Sequence, residues 1–218
     1  MIPWQTAAWR RYRLVFGLGA ACLLIGAVLR LALWWRFGLP AGVSGLTLPA
    51  ILAGVLVNDT VTALYLLAPL AVYLAVIPDR WLKRRANRWL LAAGSWLTLF
   101  GLVFLAFAET YFFQEFDARF NLVAFDYLAY PTEVAGDVWQ EYPVLRIALA
   151  ATVLATAGLW WIRRHAGHAW AIPTRSAGRI APPVLHSCAV LAAALFYPTD
   201  LLSLSTNRVA NELVQNGL

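Results

Sequence analysis

Arg30 and Asp59 are ionisable residues set inside long apolar runs. Charge in hydrocarbon is costly, so residues of this kind are usually paired or functional. Arg30 lies about 9 Å along a helix from the end of its run at Arg36, and Asp59 about 16 Å from the start of its own at Leu48. An arginine side chain is long enough to bridge that difference. The two therefore read either as an ion pair between the first two helices or as contacts with lipid head groups. A second concentration of charge runs from Glu109 to Tyr142, with seven acids, one base (Arg119) and ten aromatics. Within it Glu115, Asp117, Arg119, Asn121, Asp126, Tyr127 and Glu133 are candidates for docking another domain or touching lipid. Glu115 and Arg119 are four apart, a favourable helical pair. The acids could hold a cation, form the solvated face of interfacial helices, or make a docking surface.

Other reactive types are placed less productively. His165 and His168 fall in a basic loop with no acid near in sequence and read as solvated; His186, inside an apolar run, reads as an interhelical hydrogen bond. Cys22 and Cys188 read as small apolar residues in the membrane. No serine, histidine and acid grouping, no convergent metal-ligand spacing and no glycine-rich phosphate loop stands out. No catalytic, cofactor-binding or metal residue is assigned.

The elements that carry these residues follow from hydropathy. Of 218 residues 61% are apolar and 13% charged, against roughly 45–50% and 25% in soluble domains. A helix needs about 20 apolar residues to cross the hydrocarbon core. Five runs are predicted to cross: Leu14 to Trp35, Leu48 to Ile77, Trp89 to Ala108, Val144 to Ile162, and Ile180 to Tyr197. Trp34-Trp35-Arg36 closes the first as an aromatic interface anchor. Asn58-Asp59-Thr60 interrupts the second, and Pro182 and Pro183 fall in the first turn of the fifth, where proline costs little.

Charge sets the orientation. Arg10, Arg11 and Arg13 precede the first run, five bases and one acid lie between Asp79 and Arg88, and four bases with no acid lie between Arg163 and Arg179. These segments alternate along the chain, which places them in the cytoplasm, with the N-terminus inside and the C-terminus outside. The net charge of +6 is thus topological, and nucleic-acid binding is not expected. In the outer segment Phe113, Phe116, Phe120, Val123, Tyr127 and Tyr130 recur at helical spacing. A second amphipathic stretch follows Pro131, with Val134, Val138 and Trp139 apolar, and ends at Tyr142. Both read as interfacial helices in the outer loop between the third and fourth spans.

The string from Phe112 to Leu128 (FFQEFDARFNLVAFDYL), continued by Tyr130-Pro131-Thr132-Glu133-Val134 and Glu141-Tyr142-Pro143, resembles the membrane domain of the lipoteichoic acid synthase family. These are bacterial phosphoglycerol transferases of the sulfatase and alkaline phosphatase superfamily. The resemblance implies an all-α membrane protein of five helices, N-in and C-out. Residues 1–197 would form the membrane domain, with 109–143 as its outer loop, and 198–218 a connector towards an extracytoplasmic catalytic domain. In the family that domain carries a threonine nucleophile and a divalent metal, manganese or magnesium. None of those positions exists in this sequence, so the chain itself is expected to hold no cofactor. It reads as a fragment, a truncated product or a split subunit.

The implied function is to anchor a phosphoglycerol transferase or sulfatase-like enzyme in the bacterial cytoplasmic membrane and present phospholipid head groups to it. Implied partners are membrane lipids, phosphatidylglycerol among them, and the catalytic domain. Two alternatives stay open: the membrane domain of a phosphoethanolamine transferase of the same superfamily, and a small non-enzymatic channel or transporter.

Overall fold

A computed structural model of the protein describes residues 11–120, 131–166, 176–196 and 208–214. Among the described residues every regular element is helical, the outcome expected where backbone groups cannot rely on water and must bond within their own segment. In chain order these are α1 (Arg13–Leu33), a π-helical turn (Trp34–Gly38), a 3-10 turn (Gly45–Thr47), α2 (Leu48–Gly54), a π-helical turn (Val55–Asp59), α3 (Thr60–Val76), α4 (Asp79–Leu82), α5 (Arg85–Phe116), α6 (Pro131–Glu141), α7 (Val144–Ala166), α8 (Ser176–Phe196) and α9 (Arg208–Val214).

Four stretches among them are long and apolar enough to cross a membrane: Arg13–Gly38, Gly45–Val76, Arg85–Phe116 and Val144–His165. Large apolar side chains point outward along them, Val76 at 76% and Leu145 at 73% exposure, which suits hydrocarbon as the surrounding solvent. The fifth expected span is a helix, α8, 21 residues long; it is not among those four stretches, and the apolar part identified among its described residues is Pro182–Ala192. Helix begins at Ser176, so Pro182 and Pro183 lie in its interior rather than its first turn. The carbonyls of Gly178 and Arg179 thereby lose their usual intrahelical donors.

The third run is longer than hydropathy indicated. Its helix does not stop at Ala108 but continues through the acidic Glu109 to Phe116. Burial of Glu109 beside a base, described below, lets the helix pass a charge that hydropathy reads as a boundary. At Asp117 the backbone turns left-handed (φ 49°), with its N–H bonded to the Phe113 carbonyl, a C-terminal stop that Asp tolerates better than most residues. The expected helical face thus ends at Phe116, before Phe120; Val123, Tyr127 and Tyr130 lie outside the described residues. The second amphipathic helix is present as α6, with Pro131 at its first position and Trp139 exposed.

The chain divides into two compact units: Met1–Leu23, Thr60–Leu99 and Ala155–Thr199 form the first, and Leu24–Asp59, Phe100–Leu154 and Asp200–Leu218 the second. In the first, α3 packs on α8, and the His186 ring lies 2.9 Å from the Leu64 carbonyl. Trp96 donates to Thr156 at 3.0 Å, linking α5 and α7. Gly17 lets α1 approach α7 closely, since a Cβ there would sit 2.9 Å from Ile162. Arg11 is buried; it donates to the carbonyls of Leu74 and Ile77 and pairs with Asp79. It thus neutralises the negative end of α3. In the second unit Leu29, Leu33, Val43, Ile51, Phe113, Ala210 and Leu213 form one core.

Candidate functional site

Among the described residues four charged side chains are buried in the second unit: Arg30 on α1, Asp59 closing the π-helical turn, Glu109 on α5 and Arg119 just beyond it. They form two ion pairs. Arg30 Nη1 lies 2.6 Å from Asp59 Oδ2, with side-chain exposures of 0% and 5%, and Arg119 Nε donates to Glu109 Oε1. Arg30 is also within electrostatic reach of Glu109 and Arg119, so the pairs act as one cluster. Isolated charges in such surroundings would cost several kcal/mol each, and pairing is what makes them tolerable.

Local structure explains how each arrives. The π-helical turn Val55–Asp59 places Asn58 and Asp59 inward, both under 5% exposed. Gly26 supplies the room: a Cβ there would stand 1.8 Å from Asp59 Oδ2. The Gly26 carbonyl also accepts from Arg30 Nη1 at 3.4 Å. Gly26 and Arg30 are one helical turn apart, so the glycine opens the face on which the arginine sits. The left-handed residue Asp117 reverses the chain after α5 and brings Arg119 back onto Glu109. The expected helical pairing of Glu115 with Arg119 is thereby replaced, because the helix has ended before Arg119 is reached. Glu115 and Asp117 are exposed.

The cluster also holds α9. The Arg119 backbone N–H donates to Glu212 at 3.0 Å, while Ala210 and Leu213 enter the core against Leu29, Leu33 and Phe113. The Phe37 ring lies 5.0 Å from Phe113, and Arg36 donates to Gln114 at 2.7 Å. Among the described residues Glu109 Oε2 is buried without a hydrogen-bond partner, an uncommon arrangement in a folded protein.

Of the other sequence candidates, Glu133 lies on α6, and Asn121, Asp126 and Tyr127 fall outside the described residues, as does His168. His165 stacks on Trp161 with its Nδ1 2.9 Å from the Trp161 carbonyl. Cys22 is buried, whereas Cys188 is on an exposed side of α8 and not in a packed interior. Glu109, Gly26 and Glu212 escaped sequence reasoning. A glycine four residues before an intramembrane arginine was a usable signal for Gly26; for Glu212 there was none. Among the described residues no group of three or more His, Cys, Asp or Glu gathers at metal-binding distance. The chemistry the site displays is mutual neutralisation of buried charges. No family model, curated protein or solved structure matches the chain.

Proposed function

We propose that the chain is the membrane domain of a lipoteichoic acid synthase-like enzyme, a phosphoglycerol transferase of the sulfatase superfamily at the outer face of the bacterial cytoplasmic membrane. It anchors the enzyme through five crossings, α8 being the fifth, and presents phosphatidylglycerol to an extracytoplasmic catalytic domain. The observation that carries the reading is the seat of α9. Its Glu212 is bonded to Arg119, inside the string from Phe112 to Leu128 on which the resemblance rests, and its Leu213 is buried against Phe113 of the same string. The segment following the last crossing is thus held against those residues, as a platform for a domain working at the lipid surface requires.

Charge supports the orientation. Among the described residues the first unit contains a single acid, Asp79, with the bases Arg11, Arg13, Arg80, Lys83, Arg84, Arg85, Arg88, Arg163, Arg164 and Arg179; the remaining described acids are in the second unit. Basic segments mark cytoplasmic sides. Arg84 lies over the Trp81 ring and Arg164 over Trp160, the amphipathic pairing favoured at a membrane boundary.

The test is lipid selection. The chain, extracted in a neutral detergent from a bacterium rich in both lipids, should retain phosphatidylglycerol above its share in the membrane when examined by native mass spectrometry. Retention in proportion to the bulk lipid would overturn lipid presentation, and enrichment of phosphatidylethanolamine would transfer the reading to the phosphoethanolamine branch of the superfamily.

A further inference from the structure

A cavity of about 430 Å³ lies within the second unit, bordered by α5, α6, the start of α7 and Phe120. That is the size of an ordinary small-molecule site. Its walls are aromatic and aliphatic. Phe112 packs against Phe116 at 4.5 Å and Phe120 at 5.1 Å between ring centroids, and Ile147 closes the wall from α7. The polar groups come from two different helices and all carry one sign: Glu115 on α5, and Asp137 and Glu141 on α6. Among the described residues no arginine, lysine or histidine lines the space, and none of the three acids belongs to an ion pair.

Exposure orders these groups. Phe112 and Ile147 are buried while Glu115, Asp137 and Glu141 are exposed, so the carboxylates ring the open side of an apolar interior. Tyr142 adds a phenol 3.4 Å from Glu115 Oε1, and its ring meets Tyr111 edge-on at 5.1 Å. Aromatic faces attract a cation as carboxylates do, and three carboxylates lining one space favour a positive over a negative occupant.

We infer that this cavity binds an amphiphile with a cationic head, its alkyl part against Phe112, Phe116 and Ile147 and its ammonium group among Glu115, Asp137 and Glu141. Charge complementarity selects this occupant: an anionic head would meet three carboxylates and no base among the described lining residues, and a neutral one would gain no attraction from them. The site is separate from the buried charge cluster and does not depend on the proposed enzymatic reading, which concerns an anionic lipid.

The experiment titrates the chain in neutral maltoside micelles with octyltrimethylammonium, octyl sulfate and octyl glucoside by calorimetry, with protein-free micelles as the blank. Saturable binding of the ammonium compound alone is expected. It should weaken by about tenfold in the triple variant Glu115→Gln, Asp137→Asn, Glu141→Gln, as loss of three exposed charge contacts implies. Ala108→Phe fills the cavity from α5 and leaves all three acids in place; it should abolish binding. Undiminished binding in Ala108→Phe, with helical content and melting retained, would show that the acids attract cations without the cavity and would overturn the inference. Should Ala108→Phe fail to fold, Glu115→Lys with Asp137→Lys decides instead: the preference should reverse to octyl sulfate, and an unchanged preference would likewise overturn the site.

Discussion

At the scale of single residues the protein depends on Gly26. The Asp59 carboxylate occupies the space that a side chain at position 26 would need, so Gly26→Ala should separate Asp59 from Arg30. Breaking a buried pair while leaving its charges in place costs about 3–5 kcal/mol, whereas replacing both members by apolar residues of similar volume is often neutral. Thermal unfolding in detergent should therefore show a large loss for Gly26→Ala and for Asp59→Leu alone. Recovery is expected in the double variant Arg30→Met, Asp59→Leu. A double variant no better than Asp59→Leu would mean that the pair has a role beyond mutual neutralisation. Asp117 offers a smaller test. Its φ of 49° makes Asp117→Asn and Asp117→Gly neutral or mildly stabilising, while Asp117→Val should cost about 1–2 kcal/mol.

At the scale of elements, aromatic residues three apart on α5 face different surroundings. Phe113 is fully buried in the core shared with α9, whereas Phe116 is 37% exposed at the cavity. Phe113→Ala should cost about 3–5 kcal/mol as a large-to-small core change, and Phe116→Ala clearly less, measured by the same unfolding assay. Helix α9 is short and cannot be stable alone. Its order comes from Leu213 and from the Glu212 contact with Arg119. Leu213→Asp should release it and expose the bond after Arg208 to trypsin, and Glu212→Gln should do so more weakly. Unchanged cleavage of Leu213→Asp would show that α9 is held by something other than its apolar seat.

At the scale of the whole molecule the prediction is topological. Reporter fusions after Arg85 and Arg175 should read cytoplasmic, and fusions after Asp126 and at Leu218 extracytoplasmic, because the basic segments alternate with acidic or weakly charged ones. A cytoplasmic reading at Leu218, with the other three as expected, would remove α8 as a crossing. With Pro182 and Pro183 in its interior, that helix is the decisive one.

The positions of the apolar helices, the start of α6 at Pro131 and the separation of basic from acidic segments were legible in the amino-acid sequence. These depend on local quantities: the length of an apolar run, a proline, the charge of a loop. Arg30 and Asp59 could be singled out for the same reason, since their cost follows from their immediate surroundings. What only the tertiary structure decided are the partners. Glu109 looked like the first residue of a loop; it is helical and buried because Arg119 returns to neutralise it, and that return depends on one left-handed residue, Asp117. The clearance at Gly26 depends on a π-helical turn far along the chain, and the meeting of Arg119 with Glu212 joins residues 93 positions apart. Such contacts are set by how helices pack against one another, and packing between distant segments leaves no periodicity or composition in either one to read.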